Sequence, residues 1–274
     1  MIRDITIGQY YPAKSGIHRL DPRVKIACTL VFLISLFIQK NIAGYVLATV
    51  FLVMVVYSSQ VPFKFIVKGL RPIIMLLLIT VGFNLFLTTG GKELFHFWIF
   101  RIYETGLRTA VYMGIRLVYL IIGSSIMTFT TTPNALTDGL EALLNPLNKI
   151  RVPVHEIAMM MAIALRFIPI LLEETDKIMK AQIARGADLD SGNIFQRAKA
   201  MVPILVPLFV SAFRRANDLA MAMEARCYRG GEGRTKMKPL HYQGLDYLAY
   251  AVMAGYLVMS ILAGRFVHFQ IWIF

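Results

Sequence analysis

The chain has 274 residues, of which 57% are hydrophobic, 16% charged and 12% aromatic, with a mean hydropathy of +0.61. Soluble domains run about 45–50% apolar and about 25% charged, so a purely soluble protein is excluded and the apolar surplus must face lipid or another protein. Lys and Arg number 29 against 16 Asp and Glu, a net charge of +13; its distribution decides between nucleic acid, anionic lipid and an acidic partner.

The N-terminal stretch through Lys25 is polar and basic and has no short apolar core ahead of a cleavage site, so no signal peptide is expected. Beyond it, runs free of Asp, Glu, Lys and Arg mark membrane spans, because a charge at mid-bilayer costs at least about 2.5 kcal/mol. Four such runs occupy the first half: 26–39, 41–63, 72–91 and 117–137, the last extending backward through Arg116 toward Leu107. A span takes about 20 apolar residues, so the first run is short and is expected to rely on Arg23 and Lys25 snorkelling to the interface. Residues 58–71 read as the loop between the second and third spans.

Residues 131–242 change character. Leu, Ile and Met stay frequent, but charges recur every few residues, which predicts a cytoplasmic or interfacial segment of amphipathic helices. A helix over 134–148 aligns Leu136, Leu140, Leu143, Leu144 and Leu147, with Thr131, Thr132 and Pro133 supplying cap and first-turn chemistry. A second helix follows Pro153, with Ile157, Met161, Leu165, Ile168 and Leu172 on its expected apolar stripe and Gly186 as a stop. A third, over about 194–226, aligns Met201, Leu205, Ala212, Ala216, Leu219 and Met223, with a kink or break expected at Pro203 and Pro207. A fifth span, 247–264, leads to an apolar tail expected at the interface with Trp272.

With the N-terminus placed in the cytoplasm, the N-terminal segment, the 58–71 loop and the 131–242 segment hold 5, 3 and 15 basic residues. The opposite side holds Lys40, Lys92, Arg101, Arg108 and Arg265. The positive-inside rule favours this orientation, even with the long middle segment set aside. That segment carries 15 basic against 11 acidic residues. So near a balance disfavours nucleic acid, while the basic N-terminal segment and first loop suit anionic lipid.

No catalytic constellation stands out. There is no GxxxxGK[ST], and the Gly230–Lys236 stretch has the wrong spacing and follows no strand. The five histidines never fall at i, i+4, and Asp188 and Asp190 have no second acidic cluster. Cys28 and Cys227 lie in unlike settings, which predicts no disulfide. Within the apolar runs, Asn84 and Arg116 are the strongly polar residues; for Arg116 the structural reading is snorkelling or pairing with a carbonyl between helices, beside a role in transport.

The informative feature is a pair of helix ends. Ala184-Arg185-Gly186 closes the second amphipathic helix and Ala225-Arg226-Cys227 the third, each setting one Arg between small residues. Small neighbours let a partner approach, and a guanidinium offers five fixed donors; the simpler reading is complementation of the helix dipole. Clustered methionines, Met159, Met160 and Met161 on one helix and Met221 and Met223 on the other, are core filler or an adaptable contact surface.

At these residues, and along the Ser15–Lys25 stretch, the sequence resembles the transmembrane coupling (T) component of energy-coupling-factor (ECF) type ABC transporters, importers of vitamins and metal ions. The most specific elements are Ala-Gln-Ile-Ala-Arg-Gly at 181–186 and Glu-Ala-Arg-Cys-Tyr at 224–228; Cys227 stands where the family usually has glycine. The resemblance implies an all-α integral membrane protein of about five transmembrane helices plus a cytoplasmic coupling segment, divided at 1–130, 131–242 and 243–274. It implies a non-catalytic subunit of the cell (plasma) membrane that binds no cofactor, with ATP and Mg held by two partner ABC ATPase subunits (EcfA and EcfA′). Arg185 and Arg226 would dock those ATPases, and the apolar helix faces would hold a substrate-binding S component. A conventional permease lining its own path, or a membrane enzyme with an acidic metal cluster, are the alternatives.

Overall fold

The computed structural model describes residues 10–39, 41–88, 90, 93–97, 100–187, 193–231 and 237–266. These fall into two compact units, 10–139 with 240–266, and 140–239. The chain passes from the first to the second through a single helix.

The first unit is built from α1 (Gly16–Arg19), α2 (Pro22–Ile38), α3 (Ile42–Ser59), α4 (Phe63–Leu70), α5 (Ile74–Leu87), α6 (Glu104–Thr130), the start of α7 (Pro133–Leu144) and α10 (Gly244–Phe266). Helices dominate because a backbone in lipid must satisfy its own hydrogen bonds. α2 starts on Asp21, whose carboxylate accepts from the Arg23 N–H at 2.9 Å, with Pro22 at the first helical position. α7 starts as its sequence predicts: Thr132 Oγ1 accepts from the Ala135 N–H at 3.3 Å. The core gathers Phe32, Leu36, Leu52, Ile126 and Tyr256 from α2, α3, α6 and α10. Gly123 admits this packing, since a Cβ there would lie 3.0 Å from the Phe32 ring.

By length and composition, five helices among the described residues can cross a membrane: α3, α6, α10, α8 (Val154–Ala184) and α9 from Phe195. α4 and α5, joined at 60° through a 3-10 turn at Arg71–Ile73, are together apolar and long enough for a broken span or a re-entrant loop. α3, α6 and α10 match expected spans; α2, at 17 residues, covers the short first run but is not among the five. α8 and α9 qualify through apolar stretches, although each also carries the charged residues that mark it as amphipathic.

Several expectations are corrected. Residues 58–71 contain α4, whose Ile66 is buried while Phe63 is exposed; Lys64 and Lys68 mask an amphipathic helix that runs for only two turns. Lys25 does not snorkel: it is 7% exposed, and its ammonium turns inward to the carbonyls of His18 (3.1 Å) and Thr130 (2.9 Å). Between α5 and α6 the chain forms a hairpin, β1 (Glu93–Phe97) with β2 (Phe100–Tyr103), antiparallel with Phe97 opposite Phe100.

The second unit holds the end of α7, a 3-10 turn at Asn145–Ile150, α8 and α9. The expected 134–148 helix therefore stops at Leu144, where Pro146 enters the tighter turn. α8 and α9 pack antiparallel: Gln182 meets Pro203 and Glu174 meets Ser211, while Ile163, Phe167 and Leu171 face Ala212, Ala216 and Ala220 across a small cavity. Neither helix breaks at its prolines, Pro169 in α8 and Pro203 and Pro207 in α9. The α8 face on α9 is not the expected stripe, of which Ile157, Met161 and Ile168 are exposed. Apolar residues nearly surround the first half of α8, so the period leaves the face open; the alanine row on α9 selects Phe167 by giving its ring space.

Candidate docking site at two helix ends

α8 and α9 close with the same hydrogen-bond pattern. In α8 the Gly186 N–H donates to the Ile183 carbonyl (2.9 Å) and the Ala187 N–H to that of Gln182 (3.0 Å). In α9 the Cys227 N–H donates to Glu224 (2.8 Å) and the Tyr228 N–H to Met223 (3.0 Å). Both are Schellman motifs, in which a left-handed residue turns the chain so that two otherwise orphaned carbonyls are satisfied. The left-handed residue is Gly186 at φ +88° in one and Cys227 at φ +56° in the other. Arg185 and Arg226 thus hold the same capping position.

Both arginines are exposed, as are Ala184 and Ala225 beside them. Neither guanidinium has a hydrogen-bond or ion-pair partner among the described residues. A cation at a helix C-terminus gains about 0.3–1 kcal/mol from the dipole, which accounts for its sign but leaves five donors unused. Because the helices run antiparallel, with Gln182 level with Pro203 and Ile163 level with Met223, the two tips lie at opposite ends of the pair. At about 1.5 Å per residue they are on the order of 35–40 Å apart.

The pair is tied laterally. Glu174 accepts from the Ser211 hydroxyl and from Arg215 Nη2 at 2.9 Å. These contacts were not legible in sequence, since nothing local relates Glu174 to residues on another helix. Nor was the start of α10 read from sequence: Asp246 Oδ2 reaches back to accept from the Gln243 N–H (2.7 Å), one half of a capping box, and its Oδ1 accepts from the Asp21 N–H (2.8 Å).

The remaining sequence candidates are dispersed. Met160 and Met161 are exposed on α8, whereas Met223 lines the α8–α9 cavity. Asn84 donates within its own helix, to the Thr80 carbonyl at 2.8 Å. Arg116 is buried in the first unit; its Nε donates to Tyr45 Oη (3.1 Å), its Nη2 to the Gln39 carbonyl (3.5 Å), and it lies over the Phe37 ring. Gln39 is the C-cap of α2, so this guanidinium meets the negative end of a helix dipole. Cys28 and Cys227 are free thiols. Asp188, Asp190, residues 232–236 of the glycine-rich stretch and Trp272 lie outside the described residues.

Candidate spans around an apolar core, with a second unit built on an antiparallel amphipathic pair with matched arginine ends, define a polytopic all-α membrane protein. Comparison with known proteins agrees. The family model CbiQ, described as cobalt transport protein, matches residues 13–237. A relative from Clostridium kluyveri, named energy-coupling factor transporter transmembrane protein EcfT, is 56% identical over 264 residues, 96% of this chain and 98% of the relative. Proteins of the same name from Thermosediminibacter oceani (51% identical, 97% and 100% covered) and Bacillus subtilis (51%, 90% and 93%) also match. The chain belongs to the CbiQ family and, within it, with the transmembrane components of energy-coupling factor transporters.

Proposed function

We propose that this chain is the coupling subunit of an ATP-driven importer, carrying movement of two ABC ATPase subunits to a membrane-embedded S component that selects a vitamin or other micronutrient. It is not an enzyme in this reading: ATP and Mg are bound by the ATPases, and substrate by the S component. It sits in the cell membrane with its N-terminus and the 131–242 segment in the cytoplasm, as the distribution of basic residues supports.

The observation that carries this reading is the pair of matched helix ends. One arginine tip could serve any contact; two caps of the same hydrogen-bond pattern at opposite ends of an antiparallel pair suit two like subunits, one at each end. Each guanidinium presents unpaired donors to carboxylates or carbonyls of a groove, and the flanking Ala, Gly and Cys residues allow close approach. The exposed methionines of α8 supply a repacking surface for the S component.

Arg185→Ala and Arg226→Ala, alone and together, test this. Each single change is expected to reduce ATPase co-purification and uptake by about tenfold, the loss of roughly one charge-assisted contact, with membrane insertion intact. Normal co-purification and uptake in the double variant rejects the reading.

A further inference from the structure

Between α1, α2, α3, α6 and α10, all within the first unit, lies a cavity of about 320 Å³. Its walls are apolar: Phe32, Phe51, Leu52, Ile126 and Met253 line it. Close-packed interiors leave few voids larger than a water molecule, and an apolar cavity stays dry and takes apolar guests. The rim includes Met54 on α3 and Leu245, Leu248 and Val252 on α10, each more than a third exposed, on two helices apolar enough to cross the membrane. The guest that a bilayer offers at such a rim is an acyl chain.

One charged group lines the same cavity. Lys25 is 7% exposed and donates to the His18 and Thr130 carbonyls, which uses two of the three N–H groups of an ammonium. No carboxylate lies within ion-pair distance of it among the described residues; Asp21, which accepts from the Arg23 N–H, and Asp246, whose two oxygens accept from backbone N–H groups, act on it from farther away. A buried ammonium with no counter-ion in direct contact is costly, and an anion that reaches its remaining donor removes part of that cost.

We propose that this cavity is a phospholipid site: one acyl chain fills the space between α3 and α10, and the phosphate of an anionic headgroup pairs with Lys25. The third ammonium donor and the apolar walls then each have a partner of their own kind. This site is separate from the arginine tips and does not depend on how they are used.

Native mass spectrometry of the full chain, exchanged into vesicles of phosphatidylglycerol or of phosphatidylcholine and then extracted in mild detergent, reads the occupancy. Wild-type protein is expected to retain one phosphatidylglycerol per chain, at least fivefold over phosphatidylcholine. Ala249→Phe, which places a ring in the cavity, is expected to lose that lipid, and Lys25→Gln to erase the preference between the two. Wild-type protein that retains no lipid, or both lipids equally, overturns the proposal without reliance on any variant. A folded Ala249→Phe protein that retains phosphatidylglycerol as the wild type does also overturns it.

Discussion

The Gln182 carboxamide of α8 donates to the Pro203 carbonyl of α9 at 3.2 Å. In an unbroken helix that carbonyl would accept from residue 207, but Pro207 has no N–H. Gln182 supplies from the neighbouring helix the donor that the proline withholds, which helps α9 continue through a sequence that reads as a break. The contact also fixes the level at which the two helices meet.

A double-variant cycle checks this relationship. Gln182→Ala is expected to destabilise by about 0.5–1 kcal/mol, the net value of an exposed neutral hydrogen bond. In a Pro207→Ala background the restored N–H satisfies Pro203, and the same change should then cost almost nothing. Equal costs in both backgrounds, measured by denaturant unfolding, contradict the compensation.

Cys227 holds a left-handed conformation that costs an ordinary residue about 1–2 kcal/mol. Glycine removes that cost but adds about 0.5–1 kcal/mol of chain entropy to the unfolded state. Cys227→Gly is therefore expected to stabilise the protein by roughly 0.5 kcal/mol and to leave Arg226 in place. Gly186→Ala should move stability the other way, by about 1 kcal/mol. A melting temperature lowered by Cys227→Gly counts against the strained cap.

Arg116 closes the end of α2 on α6. Arg116→Met leaves the Tyr45 hydroxyl and the Gln39 carbonyl without this donor, at a cost of about 1–3 kcal/mol for buried groups. Thermal stability should fall while uptake per folded molecule is retained. A variant as stable as wild type that cannot transport would place Arg116 in the transport step instead.

Near the N-terminus, His18 Nδ1 meets the Ser15 hydroxyl (2.6 Å) and Nε2 meets the Tyr11 carbonyl (2.9 Å). Burial holds its pKa below the ordinary 6.5, and the Lys25 charge adds to that, partly opposed by the hydrogen bond to Tyr11. The folded protein therefore resists protonation at His18 more than the unfolded chain does. Stability should be full above pH 6.5, decline as pH falls below it, and level off below the lowered folded pKa. His18→Gln should flatten that decline in denaturant midpoints taken across the range; an unchanged slope assigns it to other groups.

The amino-acid sequence determined much of this protein by itself. Charge-free runs place most spans because lipid penalises a charge wherever the fold puts it. Local chemistry fixes the cap at Thr132, the stop at Gly186 and the paired arginine ends, since a helix terminus is set by neighbours within four residues. Only the tertiary structure decided which face of α8 meets α9, that Lys25 turns inward, and that Gln182 completes α9 at Pro203. Each of these depends on a donor, an acceptor or a space supplied by a distant segment. The alanine row at 212, 216 and 220 leaves room for Phe167, and the Thr130 carbonyl draws in an ammonium whose sequence neighbours alone would send it to water.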